Sequence, residues 1–235
     1  VIQEIDKAQA IVTLGHGFNE IDHDAATDQG VMLVNTAGFC TDEVSSHTIM
    51  LLLACARNLG SLNELVKSGK WAPRHPGAIH LPLTAIDGQT LGLIGCGNIA
   101  RATARKAKVF GLETIAYDPY VEPWVARDYG IDLVAGLDEL ARRSDFVSMH
   151  VPLNNQTRRL VGEGFFKAMK STAYFINTCR GETVDERALI EALENGELAG
   201  AGLDVFEEEP VSPDNPLLKM DNVVATPHSA GSSVE

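Results

Sequence analysis

A chain of 235 residues has room for one large domain or two modest ones with a substantial core. Its formal net charge of −13 lacks the basic footprint that nucleic acid requires, which argues against DNA or RNA as a direct partner. The longest uninterrupted apolar run, Ile49 to Ala56, is too short to span a bilayer, so no membrane association is expected. Cys40, Cys55, Cys96 and Cys179 are scattered without a C-x-x-C pair. That spacing fits reduced thiols in the cytoplasm better than disulfides or a zinc site, and no metal is expected. The first residues after Val1 already read as the middle of a domain, so a fragment of a longer protein is expected.

In chain order, Ile11 to Leu14 reads as a short buried strand, turned by Gly15-His16-Gly17. Asp24 to Gln29 reads as a short helix stopped by Gly30, and Val31 to Val34 as another strand. Two short strands and one helix bury too little apolar area to stand alone. Asp42 to Arg57 is helical and apolar almost all round, which predicts a helix buried on most faces. His47 within it reads as a packed core histidine. Leu59 to Leu83 carries Gly69, Trp71, Pro73, Pro76, Gly77 and Pro82 and reads as a long loop, with Trp71 and Ile79 offered to a partner subunit.

The stretch from Thr90 to Asp118 has the most specific pattern. An apolar strand runs into Gly95-Cys96-Gly97-Asn98-Ile99-Ala100, then an alanine-rich helix, Gly111, and a second strand ending at Asp118. Gly95 supplies a backbone angle a side chain would forbid, and Gly97 lets a pyrophosphate approach the main chain. A helix starting near Asn98 and Ile99 aims unpaired N–H groups at the phosphates. Ala100 is small enough for the place of a third glycine. A lone glycine pair would be a mere turn, but strand, helix and carboxylate all stand at the required spacing for a dinucleotide. Asp118 can accept both ribose hydroxyls. A 2′-phosphate about 4 Å away would be repelled by roughly 4 kcal/mol per unit charge at an effective dielectric near 20. Pro119-Tyr120-Val121 brings no cation to relieve this, so the cofactor reads as NAD rather than NADP.

Strand–helix alternation continues to Val223–Thr226, with a capping box expected at Thr183 and Glu186. Repeated β–α–β units imply an α/β, doubly wound parallel sheet of Rossmann type. Ligands of such sheets bind at the carboxyl ends of the strands. That rule collects Gly95, Asp118, His150, Arg180, Asp204 and His228 along one edge. Arg180 can fork two hydrogen bonds to a carboxylate, although an isolated arginine more often makes a surface salt bridge. His228 is the side chain suited to proton exchange near neutrality, and Glu209 is placed to reach its other ring nitrogen. Glu207 and Glu208 read as solvated.

These residues resemble the D-isomer-specific 2-hydroxyacid dehydrogenases. The resemblance runs from about Thr13 to Gly231 and is carried by Gly95–Ala100, His150-Val151-Pro152-Leu153, Asn177-Thr178-Cys179-Arg180-Gly181 with Val184-Asp185-Glu186, Leu203-Asp204-Val205-Phe206 with Glu209-Pro210, and Thr226-Pro227-His228-Ser229-Ala230. Asp42-Glu43-Val44 with His47-Thr48 and Tyr117-Asp118-Pro119-Tyr120 look most like the phosphoglycerate, glyoxylate and C-terminal-binding-protein branch. The resemblance implies hydride transfer between NAD and the α-carbon of a small 2-hydroxy or 2-keto acid. It makes Arg180 the substrate anchor, His228 the acid–base and Glu209 its partner. Val151, Thr178, Cys179, Asp204 and Gly231 would border the cofactor, with Asp204 near the carboxamide. Main-chain groups of Gly15, His16 and Gly17 would meet the substrate carboxylate, with His16 also close to the nicotinamide. A homodimer through the cofactor domain is implied. So is a division into residues 1–37 as the remnant of a flavodoxin-like substrate domain, 38–228 as the cofactor domain, and 229–235 returning toward the first. Three departures stand out. Thr13 replaces an arginine of members acting on larger acids, Ser45-Ser46 replaces an alanine–acidic pair, and Glu182 replaces a glycine.

Two other readings compete. One is a dimeric NAD(H)-sensing regulator of corepressor type, which would bind cofactor without needing turnover. The other is a glycine-loop protein for a different nucleotide, such as a methyltransferase, which would leave Arg180, Glu209 and His228 without a purpose.

Overall fold

The structure is a computed structural model that describes residues 2, 7–15, 17–18, 21–71 and 82–234. Among these, strands β3 (Thr90–Ile94), β4 (Glu113–Tyr117), β5 (Asp132–Leu133), β6 (Phe146–Met149), β7 (Tyr174–Asn177), β8 (Gly200–Leu203) and β9 (Val223–Ala225) form one sheet. Its order is β5-β4-β3-β6-β7-β8-β9, and every neighbouring pair is parallel. All seven carboxyl ends therefore share one edge. The order reverses between β3 and β6, which opens a crevice there.

The strands read as apolar runs because both faces of the sheet are covered. Phe146 and Ile176 pack with Leu91 and Leu93 on one face, beneath helices α2 (Thr41–Ala56) and α4 (Asn98–Val109). Val147, Met149 and Phe175 pack on the other face, with residues of α6 (Leu137–Arg143), α7 (Glu163–Ala168) and α8 (Glu186–Glu194). Alternation along each strand assigns its residues to the two cores. In α4 the stripe Ala100, Ala104 and Ala107 is fully buried, and these small side chains let α2 and α4 lie close together. Lys106 of α4 then reaches Asp42, Ser45 and Ser46 of α2 at 2.7–2.8 Å, which gives the unusual serine pair a partner.

A separate two-stranded parallel sheet, β1 (Ala10–Thr13) and β2 (Met32–Asn35), is connected through α1 (His23–Asp28). Asp22 caps α1 by accepting from the Ala25 amide at 2.9 Å.

Two local expectations are corrected. The segment after Leu59 opens with helix α3 (Leu59–Lys67) rather than loop. Leu59, Leu62 and Val66 form an apolar stripe at helical spacing that Gly60 obscures in the sequence. Trp71 is exposed, whereas Ile79 lies outside the described residues. The cap of α8 is Asp185, which accepts from the Ala188 amide at 3.2 Å; Thr183 instead donates to the Arg180 carbonyl at 2.6 Å. Glu186, freed from any cap, accepts from the Glu207 amide and from Asn215. Pro123–Asp128 forms helix α5, with Pro123 presetting the first helical φ.

No side chain stands at Gly202 because α2 leaves no space. A Cβ there would lie 3.0 Å from both Leu51 Cβ and Ile176 Cδ1. Gly202→Val is expected to force α2 from the sheet and cost about 1–3 kcal/mol, read as a lower urea midpoint at unchanged slope.

Candidate active site

The turn after β3 is governed by sterics. Gly95 has φ +94°, and a Cβ on it would lie 2.6 Å from the His150 carbonyl oxygen and 3.1 Å from Val151 Cγ1. Gly97 is the opposite case: a Cβ there would meet nothing within 4 Å. Helix α4 starts at Asn98 with no side chain bonded to its first N–H groups. Ile99 is half-buried behind it, and Asn98 accepts from Arg101 at 2.6 Å. Asp118, one residue past β4, accepts from the Cys96 amide at 2.8 Å through Oδ2 and from the Tyr120 amide at 2.9 Å through Oδ1. The carboxylate is thus tied to the glycine turn beside it. An open backbone, an uncapped helix terminus and an adjacent carboxylate are the features that fit a dinucleotide, since free amides suit a pyrophosphate and a carboxylate suits ribose hydroxyls. Sequence reasoning missed Tyr120 Oη, which donates to Gln156 at 2.9 Å and links the turns following β4 and β6 across the end of β3.

At the other end of the edge, β8 runs directly into Asp204, whose side chain is fully buried. Its Oδ1 accepts from Thr226 Oγ1 at 2.5 Å and the Ser229 amide at 2.9 Å, and its Oδ2 accepts from the Ala230 amide at 2.8 Å. The His228 amide donates to the Asp204 carbonyl at 2.7 Å. His228 is held at φ +51°, and its Nδ1 lies 2.6 Å from Glu209 Oε2. The other oxygen of Glu209 accepts from the Phe206 amide at 3.1 Å. The expected histidine–carboxylate pair is present, half-exposed at the strand ends. A pocket of about 620 Å³ adjoins this pair, bordered by Phe206, Pro210, Val211 and Leu218.

Arg180 lies on the loop after β7. Its Nη1 donates to the Cys179 carbonyl at 2.6 Å, and its own carbonyl accepts from Asn177 Nδ2 at 3.0 Å. A Cβ on Gly181 would strike the Phe206 carbonyl carbon and oxygen at 1.9 Å, so this loop presses against the segment leading to Glu209. Asn177, which the motif gave no role of its own, also braces the Cys179 amide at 3.0 Å.

Several other expected site residues are buried or half-buried. The Asp204 side chain has no exposed surface, and its carboxylate oxygens are engaged by the loop over residues 226–230. Thr178 is buried, with its hydroxyl 2.9 Å from that of Thr48. Burial pushes the Cys179 thiol up, and it sits beside Asn177 and Thr183. Val151 packs on the core at Gly95. Gly231 lies against Cys40, to whose sulfur a Cβ would come within 3.4 Å. Gly15 and Gly17 are half-buried beyond β1, and His16 lies outside the described residues. Glu208 is exposed, but Glu207 is not simply solvated: it pairs with Arg159 at 2.5 Å.

His150 is the edge residue furthest from an acid–base role. Its Nε2 is covered and has no hydrogen-bond partner, and burial pushes its pKa down to about 3. The ring therefore stays neutral at working pH.

A seven-stranded parallel sheet with a glycine turn at its reversal and a carboxylate on the next strand defines a dinucleotide-binding domain. Residues 49–230 match the family model for the NAD-binding domain of D-isomer-specific 2-hydroxyacid dehydrogenases, and the chain belongs to that family. It is 41% identical over its whole length to D-3-phosphoglycerate dehydrogenase of Methanocaldococcus jannaschii, covering 44% of that protein. It is 40% identical to glyoxylate reductase of Korarchaeum cryptofilum, covering all of this chain and 70% of that one. The structure of D-lactate dehydrogenase from Aquifex aeolicus, complexed with NAD and lactic acid, superposes with a TM-score of 0.88 at 29% identity, over 99% of this chain and 73% of that one. The chain thus spans from under half to about three quarters of these proteins.

Two outcomes follow. Gly95→Ala is expected to abolish measurable cofactor binding and lower stability by about 1–3 kcal/mol, read by NADH titration and denaturant unfolding. His150 is neutral in the folded chain above about pH 3, whereas its unfolded form takes up a proton below about 6.5. Its contribution is therefore complete above pH 6.5 and falls by at most about 1.4 kcal/mol per pH unit below it. His150→Phe should flatten the loss of stability between about pH 6.5 and pH 5, measured by urea unfolding at both values.

Proposed function

We propose that this chain is the cofactor-binding part of an NAD-dependent oxidoreductase that interconverts a small 2-hydroxy acid and its 2-keto acid. The observation that supports this most directly is the 2.6 Å contact between His228 Nδ1 and Glu209 Oε2 at the strand-end edge. An ionised carboxylate only accepts hydrogen bonds, so Nδ1 carries a hydrogen and Nε2 is left to exchange a proton with the substrate oxygen. Bound NAD would supply or take up the hydride at the substrate α-carbon.

In this reading His228 gives its Nε2 proton to the carbonyl oxygen during reduction and removes it from the hydroxyl during oxidation. Glu209 holds the ring's tautomer and orientation through its contact with Nδ1. Arg180 anchors the substrate carboxylate, because a planar guanidinium matches its two oxygens. Gly95, Gly97, Asn98 and Ile99 would hold the pyrophosphate, and Asp118 the adenosine ribose, with NAD preferred over its 2′-phosphate analogue. Backbone groups at Gly15, His16 and Gly17 would complete the carboxylate site. The short Thr13 side chain at the end of β1 supports a small acid over a phosphorylated one.

The separate sheet formed by β1 and β2 supports residues 1–37 as part of a substrate domain, 38–228 as the cofactor domain, and 229–235 as the return. Exposed Met50, Leu59, Val66 and Trp71 on and near α2 and α3 support a homodimer through the cofactor domain. The unpaired cysteines support a reducing compartment such as the cytoplasm.

The test is NADH oxidation by the full-length protein against a panel of small 2-keto acids. His228→Ala should lower kcat by roughly 10²–10⁴, and Arg180→Ala should chiefly raise KM. Unchanged turnover in His228→Ala would remove the acid–base assignment. NADH-dependent dimerisation without turnover on any acid would favour the regulatory reading.

A further inference from the structure

Helix α2 bonds to both loops bearing Arg180 and His228, through adjacent side chains. His47 Nε2 lies 2.9 Å from Thr226 Oγ1 and 3.4 Å from Asp204 Oδ1. Thr226 spends its only hydroxyl hydrogen on Asp204, so its oxygen accepts, and His47 Nε2 is the donor. The chain of donors runs from His47 to Thr226 to Asp204, whose remaining bonds hold the Ser229 and Ala230 amides. Thr48, the next residue, donates to the Val44 carbonyl at 2.8 Å. It therefore accepts from Thr178, two residues before Arg180, at 2.9 Å. The same end of α2 also presses Cys40 and Val44 toward Gly231.

A histidine that merely fills a core buries its ring among apolar groups. His47 instead keeps 15% of its side chain exposed and directs its donor to a loop 179 residues away. We infer that His47 and Thr48 are positioning residues: together they set where the Arg180 loop and the His228 loop stand relative to each other, and so shape the nicotinamide end of the crevice. This assignment rests on the dinucleotide reading above. It implies that a change at α2 alters recognition of the nicotinamide half and leaves the adenosine half, built on Gly95 and Asp118, as it is.

The test compares the unaltered full-length protein with its His47→Leu, His47→Gln, Thr48→Val and Thr48→Ser variants. Dissociation constants are measured for NADH and for ADP-ribose, and amide hydrogen exchange is followed at Ser229 and Ala230 without cofactor. Loss of one buried hydrogen bond corresponds to a change of roughly tenfold. His47→Leu should weaken NADH by about that factor, leave ADP-ribose within about twofold, and speed exchange at both amides by about tenfold. Glutamine places a donor where Nε2 was and should restore both readouts. Thr48→Val should weaken NADH without speeding those two amides, and Thr48→Ser should restore it. Equal weakening of NADH and ADP-ribose, or failure of the glutamine and serine variants to rescue, would mark a general packing role and overturn the proposal. Unchanged NADH affinity and exchange in His47→Leu would overturn it as well. If the unaltered full-length protein binds no ADP-ribose, the dinucleotide reading fails by itself, and the exchange measurement still decides whether His47 holds the loop.

Discussion

The buried carboxylate of Asp204 is the constraint on which the strand-end architecture depends. Removing an ionised carboxyl from water costs several kcal/mol unless its lone pairs are filled. Here they are filled by one hydroxyl and two amides from the chain just beyond β9. Those bonds require residues 226–230 to double back over the end of β8. In doing so they hold His228 in the left-handed region, at a conformational cost of about 1 kcal/mol for a non-glycine residue, and bring its ring to Glu209. Glu209 is held in turn by the Phe206 amide, two residues past Asp204. The exposed pair is therefore supported by groups that are themselves buried, the arrangement a reacting pair needs if it is to be rigid.

The two ends of the crevice are built on different physical principles. The glycine end is steric and local: a backbone angle open to Gly95, a bare Gly97 and an uncapped helix start lie within a few residues. The histidine end is electrostatic and non-local. Its bonds to Thr226, His228, Ser229 and Ala230 join residues 19 to 26 positions apart, and His47 reaches it across 179. Loop-closure entropy makes such contacts expensive to assemble one by one. Packing of α2 across β7, β8 and β9 brings them together at once. A parallel sheet with both faces covered provides the fixed frame, since its strands cannot slip by one residue without exchanging the two cores.

How much could be read in advance follows from the same division. The sheet, its alternating helices and the glycine turn were legible because apolar runs and positive-φ glycines are local signals. The helix at Leu59–Lys67 was hidden by Gly60 and by the prolines further on, which read as loop. The cap of α8 was misassigned because Thr183 and Glu186 have capping spacing, yet Asp185 lies at the turn and Glu186 is drawn to Asn215. Asp204 and Thr178 were identified as site residues from the resemblance. Their side chains nevertheless face inward, a fact that depends on which neighbours supply hydrogen-bond partners. His47 could not be distinguished from a packed core histidine, because its partners lie almost the whole chain away.

By itself the sequence determined the α/β class, the place of the dinucleotide turn and the residue types available for proton exchange. Each of these depends on periodicity, on glycine's freedom at one φ, or on side-chain chemistry, all carried within short windows. Tertiary structure alone decided that His228 meets Glu209, that Asp204 spends its carboxylate on the loop, and that His47 and Thr48 bond to two loops at once. These outcomes depend on hydrogen bonds between distant segments, and such bonds acquire a geometry only after the sheet and α2 have packed.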